Sequence, residues 1–470
     1  MKKLSELYTG YPDIDIKDIK INSKEVTFGD LFICIKGITT DRNDYIEEAI
    51  KNGASAIVTN KDIKLNVPVI KVDNPNEELY RISKQFYDYN SNYFKIIGVT
   101  GTNGKTTVAS IIKDMIGNKC GYIGTNGLIT NNINESIRNT TPDVDRLYKY
   151  FKMLKEDNCN IISMETSSEA FYRKRLKDIN FDIGIVTNVY EDHLNIHKTI
   201  DNYLNCKKEL VKSVKNKGYS ILNVDCKYYE EFKKAAKGTI YTYGKGLSDL
   251  QIINIREYYN KTIVTLKYKE KKYRIKSLLT GEYNVYNLCA AILALIALNY
   301  SFNDILNRIK NIKVPKGRAE FLDFGQNYKI ILDYAHTTEA FIKMYNFLNK
   351  IKKNKIITVT GSAGGREKEK RSTIGNIVLN NSNYVIFTMD DPRYEDVNDI
   401  INDLIKDSNK RNYEKVLNRA DAIMKALSMA NKDDIVLIAG KGRDNYMAIE
   451  DKYIKYNDYD VICNYFKNNN

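Results

Sequence analysis

The chain has 470 residues, of which 43% are hydrophobic and 28% are charged, and its formal net charge is +14. That length suits about three domains of ~150 residues each, and the composition is that of a globular enzyme rather than of a disordered or fibrous protein. No apolar run approaches the ~20 residues needed to cross a bilayer, and residues 1–7 (MKKLSEL) lack the apolar core of a signal peptide.

The seven cysteines are scattered and form no C-x-x-C pair. This predicts reduced thiols in a cytoplasm and argues against a structural zinc site. The basic residues alternate with acidic ones, as in residues 366–371 (REKEKR), so we interpret them as a solvated surface. The positive surplus suits anionic small substrates. We therefore expect neither a nucleic acid nor a membrane as a partner.

Residues 1–90 predict a small α/β domain. Apolar, β-branched residues at 30–35 and 56–59 predict strands. Between them, residues 45–53 have helical spacing and end on a glycine.

The next segment, 91–315, begins with a glycine-rich turn. Residues 98–107 (GVTGTNGKTT) directly follow the apolar run FKII. This is the layout of a phosphate loop, whose backbone N–H groups and helix dipole point at phosphates. The common pattern G-x-x-x-x-G-K-[ST] would place its first glycine at position 99, which is Val99 here, and this loop has Gly101 instead. Lys105 can reach the β- and γ-phosphates and the hydroxyl of Thr106 can bind Mg²⁺, so the loop predicts a nucleoside triphosphate site.

The rest of this segment predicts a mixed sheet. Apolar runs at 161–164 and 181–186 indicate buried parallel strands, and alternation over 255–275 indicates antiparallel ones. Glu165 and His193 follow the two parallel strands. Because ligands bind beyond the carboxyl ends of strands in open α/β sheets, we expect both side chains to bind a divalent cation beside the γ-phosphate.

Residues 314–318 (VPKGR) resemble a linker, and residues 314–317 are a candidate hinge. Beyond them strands and helices alternate again. The expected strands are 328–334, 355–360, 384–389 and 434–439, and the expected helices are 338–350, 371–380 and 396–406. The predicted fold is therefore α/β with three domains, at 1–90, 91–315 and 316–470.

Several further motifs follow the loop in a fixed order. They are NTTPD at 139–143, ETSS at 165–168, TNVYEDH at 187–193, YLNCK at 203–207, GEYNVYN at 281–287, GRAE at 317–320 and DYAH at 333–336. With this order and spacing the chain resembles, nearly end to end, the Mur ligase family of ATP-dependent amide-forming enzymes in peptidoglycan synthesis. It is most similar to the type that adds the third amino acid to UDP-N-acetylmuramoyl-L-alanyl-D-glutamate.

The resemblance implies a UDP-binding first domain, a central ATPase domain and a Rossmann-like third domain. It implies ATP with two Mg²⁺ ions, a monomer in the cytoplasm, and a role in cell-wall synthesis and hence in cell shape and division. The chemistry it implies is phosphorylation of a substrate carboxylate, followed by attack of an uncharged amine on the acyl phosphate.

The resemblance also assigns residues. The implied ATP contacts are Gly101, Thr102, Asn103, Gly104, Lys105, Thr106, Thr107, Asn284, Asn287, Arg318 and Asp333. The implied contacts of the UDP-muramoyl peptide are Ser23, Asn139, Thr140, Thr141, Ser167 and Arg175. The implied catalytic residues are Lys105, Glu165, His193 and Lys207, and the implied metal ligands are Thr106, Glu165, His193 and Lys207. Lys207 would be N6-carboxylated, because a carbamate turns the cation into an oxygen ligand.

The site for the third amino acid departs from the family pattern. Residues 390–393 (DDPR) resemble the D-N-P-R motif of diaminopimelate-adding members, with Asp391 in place of asparagine. Arg393 is retained and can hold the distal carboxylate of diaminopimelate, which lysine lacks. Residues 440–444 (GKGRD) replace G-K-G-H-E, and arginine here also occurs in lysine-adding relatives. The implied amino-acid contacts are Arg366, Asp390, Asp391, Arg393, Gly440 and Asp444. We favour meso-diaminopimelate over L-lysine.

Three alternatives stay open. Glu169 stands where most relatives carry histidine, and residues 22–24 (NSK) replace D-S-R, so a specialised paralogue acting on a modified nucleotide is possible. A folylpolyglutamate synthase-like enzyme would share the phosphate loop and third domain but lack the first domain. An ATP-hydrolysing switch protein would leave residues 333–336, 390–393 and 440–444 without a role.

Overall fold

The computed structural model describes residues 1–37 and 40–469 of an α/β protein. Its backbone contacts group into two compact units: Met1–Ile97 with Gly117–Phe181, and 98–116 with 182–469. The strand Lys95–Thr100 leads from the first unit into the phosphate loop of the second. The domain boundaries expected at residues 90 and 315 stay a prediction. The two compact units divide the chain differently and place the phosphate loop with residues 182–469.

The first unit begins with a parallel four-stranded sheet. Its strands, in spatial order, are Ile19–Lys20, Asp30–Ile33, Ala54–Thr59 and Val69–Lys71. The helix Ile46–Lys51 connects the middle two and buries Ile46 and Ala49 against this sheet. The other elements before residue 90 are Lys2–Lys3, Leu4–Leu7, Asp15–Ile16, the 3₁₀ turns Ser23–Glu25 and Arg42–Tyr45, and the helix Pro75–Phe86. The two strands and the helix expected here are confirmed.

A second group of strands in the first unit leads to Glu165. In spatial order they are Asn134–Glu135, Gly127–Ile129, Cys120–Gly124 and Ile161–Glu165, and only the last pair is parallel. The helix Val144–Glu156 contacts the helix Pro75–Phe86, and the short helix Ser168–Tyr172 is capped by Ser167.

The second unit begins with the phosphate loop and its buried helix Lys105–Ile116. The strands that follow, in spatial order, are Phe181–Val186, Val214–Asn223, Thr239–Gly244, Leu250–Tyr258, Lys261–Tyr268 and Lys271–Ser277. Its helices up to residue 308 are Leu194–His197, Ile200–Lys212, Tyr229–Ala235, Glu282–Ala297 and Phe302–Arg308, and a 3₁₀ turn follows at Ile309–Asn311. The last two strands are antiparallel, so the expected mixed sheet is confirmed.

The last part of the second unit is a doubly wound sheet. Its strands, in spatial order, are Glu320–Leu322, Lys329–Asp333, Ile435–Ala439, Ile356–Thr360, Tyr384–Phe387 and Tyr413–Lys415, and only the first is antiparallel to its neighbour. The helices are Thr338–Ile351, Glu369–Asn381, Val397–Ile405, Arg419–Met429 and Asp458–Asn469, and a hairpin pairs Tyr446–Ile449 with Lys452–Lys455.

Separate hydrophobic clusters cover the two faces of this sheet, as the strand–helix alternation predicts. The parallel strands therefore end at one edge, where Asp333 is the last residue of its strand and Gly361, Thr388 and Gly440 begin loops. In the part of the chain that the structure describes, no helix combines the length and apolar character that crossing a membrane requires.

Candidate active site

Two glycines of the phosphate loop are required by their surroundings. Gly101 has φ +146°, and a β-carbon on it would lie 1.9 Å from Oγ1 of Thr187. Gly104 has φ +91°, and a β-carbon there would lie 2.5 Å from Oδ1 of Asn287. A side chain at either position would be both strained and obstructed. The loop can therefore present its backbone closely to an anion.

Lys105 begins the helix after the loop and curls back over it. Its Nζ donates to the carbonyl oxygens of Gly101, at 2.9 Å, and Thr102, at 3.1 Å. Thr102, Thr106 and Thr107 are buried beside it. This places the ammonium group above the loop, where phosphate oxygens would bind.

Thr187 and Asn188, which follow the strand Phe181–Val186, hold the phosphate loop through hydrogen bonds. Asn188 accepts from the backbone N–H groups of Thr102, at 2.8 Å, and Asn103, at 3.0 Å, and Thr187 donates to the carbonyl of Asn103 at 2.6 Å. Among the described residues, Nδ2 of Asn103 is buried without a hydrogen-bond partner. A buried donor of this kind is satisfied by a ligand acceptor, so the loop fits a bound phosphate group.

Lys207 lies in the helix Ile200–Lys212 and is almost fully buried. Its Nζ lies 4.4 Å from the centroid of the Tyr203 ring, and the Tyr203 hydroxyl is 3.1 Å from Oγ1 of Thr102. Burial, together with the charge of Lys105, holds the pKa of Lys207 well below its usual range. Tyr203 thus connects the buried side chain of Lys207 to the phosphate loop.

His193 has a left-handed backbone, with φ +55°. Partial burial, together with the basic groups of Arg366, Lys105 and Lys207, lowers the pKa of its imidazole to about 4 against the opposing effect of Asp192. The ring is therefore neutral at physiological pH, which is the form that binds metal ions.

The structure gives the predicted metal ligands a partial test. Within residues 1–37 and 40–469, no three His, Cys, Asp or Glu side chains converge on a point that could hold a metal ion. Mg²⁺ commonly takes one or two protein ligands and completes its shell with phosphate oxygens and water. The hydroxyl of Thr106 and the neutral ring of His193 fit that pattern, and the set Thr106, Glu165, His193 and Lys207 stays a prediction.

The two asparagines expected to contact ATP, Asn284 and Asn287, lie in the first two turns of the helix Glu282–Ala297. Asn287 donates to Oδ1 of Asn284 at 2.9 Å, and Asn284 donates to the carbonyl of Thr280 at 2.8 Å. Both are buried, and Asn287 lies against Gly104. They are thus fixed beside the phosphate loop.

Arg318 reaches the phosphate loop from beyond the linker. Its guanidinium donates to Oγ1 of Thr106 at 3.2 Å and lies 4.4 Å from the centroid of the Tyr334 ring. Asp333 accepts from the backbone N–H groups of Ala319, at 2.6 Å, and Ala335, at 2.7 Å. The start of the doubly wound sheet is therefore joined to the nucleotide loop, as expected of ATP contacts.

Glu165 is fully buried in the first unit. Its carboxylate accepts from the hydroxyl of Tyr122, at 2.6 Å, and from the backbone N–H of Thr125, at 2.8 Å. Its carbonyl accepts from Thr141 at 2.9 Å. These donors fix the orientation of the carboxylate.

Most of the residues expected to bind the muramoyl peptide converge next to Glu165. Arg175 pairs with Asp143 at 2.6 Å and donates to the carbonyl of Thr141 at 3.2 Å, while Asn139 donates to Asp143 at 3.2 Å. Two further contacts join Ser167 to Thr141 and Thr140 to Thr125. These five predicted residues form one polar cluster.

Ser23, the sixth expected contact, does not join this cluster. It is 1% exposed, and its hydroxyl donates to the Glu48 carboxylate. Its hydroxyl is therefore already used within the first domain.

The expected amino-acid site contains a buried cation that the sequence prediction omitted. Nζ of Lys441, which is 1% exposed, lies 2.7 Å from Asp391, 3.9 Å from Asp390 and 3.8 Å from Asp444. Burial raises the pKa of Asp444 to about 6, although Lys441 opposes this, and burial also raises the pKa of Asp390. The G-K-G motif contained Lys441, but no local signal indicated three acidic partners.

The two arginines expected to bind the amino acid are Arg366 and Arg393. The loop of Arg366 forms a backbone hydrogen bond to Asp391, and Arg393 forms backbone hydrogen bonds to the hairpin segment. Arg393 has φ +53°, and its backbone pairs with Ala448 and Glu450 in the hairpin segment. The carbonyl of Asp391 accepts from Gly364, two residues before the exposed Arg366, at 2.8 Å. Backbone geometry thus brings both arginine loops to the same sheet edge.

Arg443, which replaces the family histidine, is engaged elsewhere. Its guanidinium forms a bidentate pair with Glu320, with Nε at 2.9 Å, and lies 3.3 Å from the centroid of the Tyr459 ring. Its guanidinium is therefore held by Glu320 and Tyr459.

Three family models match successive segments of the chain. The Mur ligase family, catalytic domain matches residues 15–91, the Mur ligase middle domain matches residues 99–295, and the Mur ligase, glutamate ligase domain matches residues 317–442.

Two curated relatives match almost from end to end. The chain is 34% identical to the UDP-N-acetylmuramoyl-L-alanyl-D-glutamate--2,6-diaminopimelate ligase of Oceanobacillus iheyensis, over 99% of both chains. It is 35% identical to the similarly named ligase 1 of Clostridium acetobutylicum, over 98% of this chain and 97% of that one. A solved structure of a UDP-N-acetylmuramoyl-L-alanyl-D-glutamate--2,6-diaminopimelate ligase superimposes with a TM-score of 0.64 at 24% identity, covering 100% of this chain and 99% of that one, and supports the fold.

Proposed function

The chain belongs to the Mur ligase family, and from that premise we propose that it adds meso-diaminopimelate to UDP-N-acetylmuramoyl-L-alanyl-D-glutamate with ATP as the energy source. The reaction is a step of peptidoglycan precursor synthesis. The observation that carries the proposal is the contact of Arg318 with Thr106, because it joins the phosphate loop to the sheet that bears the amino-acid pocket.

The reaction needs an activated carboxylate. The D-glutamyl carboxylate attacks the γ-phosphorus of ATP, the bond to the β-phosphate oxygen breaks, and ADP leaves. The neutral amine of the second substrate then attacks the acyl carbon, phosphate leaves, and the nitrogen loses a proton. Lys105 neutralises charge on the transferred group, and the loop backbone holds the phosphates in line.

Lys207 supplies an oxygen ligand after carboxylation in this proposal. Its uncharged amine adds to carbon dioxide and releases one proton, which yields a carbamate. Mg²⁺, in two ions, would reduce the repulsion between the phosphates and the substrate carboxylate. Thr106, His193, Glu165 and the Lys207 carbamate are the proposed ligands; the burial of Lys207 beside Tyr203 supports its part in this set.

The third-substrate pocket suits a diamino dicarboxylic acid. Asp390, Asp391 and Asp444 outnumber Lys441, and this surplus of carboxylates would attract a substrate ammonium group. Arg366 and Arg393 would bind carboxylates, and two arginines suit diaminopimelate better than lysine. Since Arg443 pairs with Glu320, its presence is no argument for lysine.

Five clustered residues would hold the muramoyl peptide beside Glu165: Asn139, Thr140, Thr141, Ser167 and Arg175. We expect the enzyme to act as a monomer in the cytoplasm, with residues 314–317 as the hinge between the ATP-binding and amino-acid-binding parts.

An acceptor screen tests the proposal. Purified protein receives ATP, Mg²⁺ and UDP-MurNAc-dipeptide with diaminopimelate, lysine or ornithine offered separately, and tripeptide and phosphate are measured. We expect tripeptide with diaminopimelate alone, and none with the Lys105→Ala variant. Product with lysine instead would identify the lysine-adding form, and failure of all three acceptors would point to a modified substrate. Phosphate release without an acceptor would indicate the switch-protein alternative.

A further inference from the structure

We propose that Glu367 and Lys370 are positioning residues that hold segment 190–194, and with it His193, and so couple the amino-acid pocket to the phosphate loop. The proposal rests on the function proposed above. It assigns a role to two side chains that the sequence motifs left without one.

The contacts of this pair are specific. The Glu367 carboxylate accepts from the backbone N–H of Leu194, the residue that follows His193. Lys370 donates to the carbonyl of Glu191 at 2.7 Å and pairs with Glu367 at 2.6 Å. The two charged groups thus neutralise each other while each binds the backbone of the same short segment.

The opposite end of the segment is fastened to the phosphate loop. Tyr190 donates its backbone N–H to Oγ1 of Thr102 at 3.0 Å, and its carbonyl accepts from that hydroxyl at 3.2 Å. The ammonium of Lys343, from the helix Thr338–Ile351, lies 4.8 Å from the centroid of the Tyr190 ring. Segment 190–194 is therefore the bridge between the loop and the doubly wound sheet.

The backbone of His193 explains why the bridge needs to be held. A residue with a β-carbon adopts the left-handed region at a cost and keeps it where the surroundings impose it. The Glu367 acceptor fixes the N–H directly after His193, and Lys370 fixes the carbonyl two residues before it. Together they set the direction in which the imidazole points.

The same pair is joined covalently to the amino-acid pocket. Glu367 directly follows Arg366, which the proposed function assigns to a substrate carboxylate. Gly364, in the same loop, donates its N–H to the carbonyl of Asp391. Binding of the amino acid would therefore order the loop that holds segment 190–194. By thermodynamic linkage, nucleotide and amino acid should then strengthen each other's binding.

The test compares Glu367→Ala with Glu369→Ala, a neighbouring exposed glutamate. We expect hydrogen exchange of the Leu194 amide to rise about tenfold or more in Glu367→Ala alone. In wild-type protein, diaminopimelate should tighten binding of a fluorescent ATP analogue about fivefold or more, and Glu367→Ala should abolish this gain. Glu367→Gln should retain most of the coupling, because its amide oxygen still accepts from Leu194.

In the complete assay, Glu367→Ala should lower kcat and raise the Mg²⁺ concentration for half-maximal rate, with the KM for the UDP-muramoyl peptide unchanged. Unchanged Leu194 exchange or intact coupling in Glu367→Ala would overturn the proposal. Leu194 exchange and nucleotide binding are measured without turnover. A wild-type chain that ligates no amino acid, yet loses Leu194 protection in Glu367→Ala, would therefore refute the proposed function and leave the positioning role standing.

Discussion

The phosphate loop and the amino-acid pocket are built by different means. In the loop, two glycines, backbone groups and neutral side chains fit against each other, and Lys105 is the cation that bends over them. In the pocket, a buried lysine lies among Asp390, Asp391 and Asp444. The loop thus depends on space and backbone direction, whereas the pocket depends on a balance of charge.

This difference predicts how the two regions fail. Added bulk in the loop displaces the reacting phosphate, so it should reduce the rate with every acceptor. Altered charge in the pocket leaves ATP binding intact and should change how the amine substrate binds.

The largest effect is expected at Lys207, on the loop side of the comparison. Lys207→Ala should lower kcat by about 1,000-fold, because the variant cannot form the proposed carbamate and its oxygen ligand beside the transferred phosphate. Millimolar acetate or propionate should restore part of the rate, since a small carboxylate can occupy the space. Steady-state kinetics with and without the acid check this, and Lys208→Ala is the control. Full activity of Lys207→Ala would remove this role.

Gly101→Ala should have the next largest effect. The new β-carbon would meet Oγ1 of Thr187 at 1.9 Å, so the loop must shift, and we expect at least a roughly 100-fold loss in kcat/KM for ATP. Gly117→Ala is a matched control, because Gly117 also has a left-handed φ, +83°, but nothing within 4 Å of a β-carbon. Equal ATP kinetics in the two variants would contradict the packing argument.

Lys441→Met tests the charge balance of the pocket. Removal of this cation takes away the group that holds Asp391 at 2.7 Å and lies near Asp390 and Asp444, so the carboxylates lose their fixed positions. The KM for diaminopimelate should therefore rise about 30-fold while the KM for ATP changes less than about twofold. Lys425→Met, which breaks the more exposed pair with Glu414, should leave both KM values unchanged. A rise in the KM for ATP alone would show that Lys441 acts on the phosphate loop rather than on the amino-acid pocket.

The pKa of Asp444, about 6, predicts a pH effect confined to the pocket. The ionised carboxylate is the form that binds an ammonium group, so kcat/KM for diaminopimelate should fall up to about tenfold per pH unit below 6. Asp444→Asn should remove this inflection; its persistence would assign the titration to another group.

The raised pKa of Asp444 also makes the stability of the folded protein depend on pH. Since the folded-state pKa exceeds the unfolded value, the protonated carboxyl favours the folded state at low pH, and that contribution is lost as the pH rises through 6. Asp444→Asn should accordingly be relatively more stable above pH 6, which thermal melts across this range would measure.

The sequence predicted the loop well and the pocket incompletely, for a physical reason. The glycines, lysine and threonine of the loop recur at a fixed spacing within one short segment, so the sequence reveals them even though Gly101 and Gly104 fit against distant residues. The four strands and three helices expected in the last sheet rested on similarly local patterns and are confirmed. The strands Glu320–Leu322 and Tyr413–Lys415 and the helices Arg419–Met429 and Asp458–Asn469 were not predicted. Side-chain pairs between residues far apart in the sequence follow no such short pattern.

Three long-range pairings show the limit. Glu367 binds Leu194 from 173 residues away, Arg443 binds Glu320 from 123 residues away, and Asp391 binds Lys441 from 50 residues away. Ser23 likewise matched a motif, yet its hydroxyl is turned to Glu48. Motif position indicates which residues belong near a site, and tertiary pairing decides which of them remain available to a ligand.

Arg443→Met should have the smallest effect on function. It tests whether this arginine, which occupies a motif position, takes part in substrate selection. Its guanidinium is engaged by Glu320 and Tyr459, so the ratio of kcat/KM for diaminopimelate to that for lysine should change less than about twofold. Loss of a half-buried ion pair should lower the free energy of unfolding by roughly 1–2 kcal/mol, measured by denaturant titration. Glu320→Gln, which retains the side-chain volume, should weaken stability to a similar degree without altering selectivity. If Arg443→Met shifted acceptor preference toward diaminopimelate at unchanged stability, this arginine would belong to the pocket after all, and charge there would be balanced by two cations rather than by Lys441 alone.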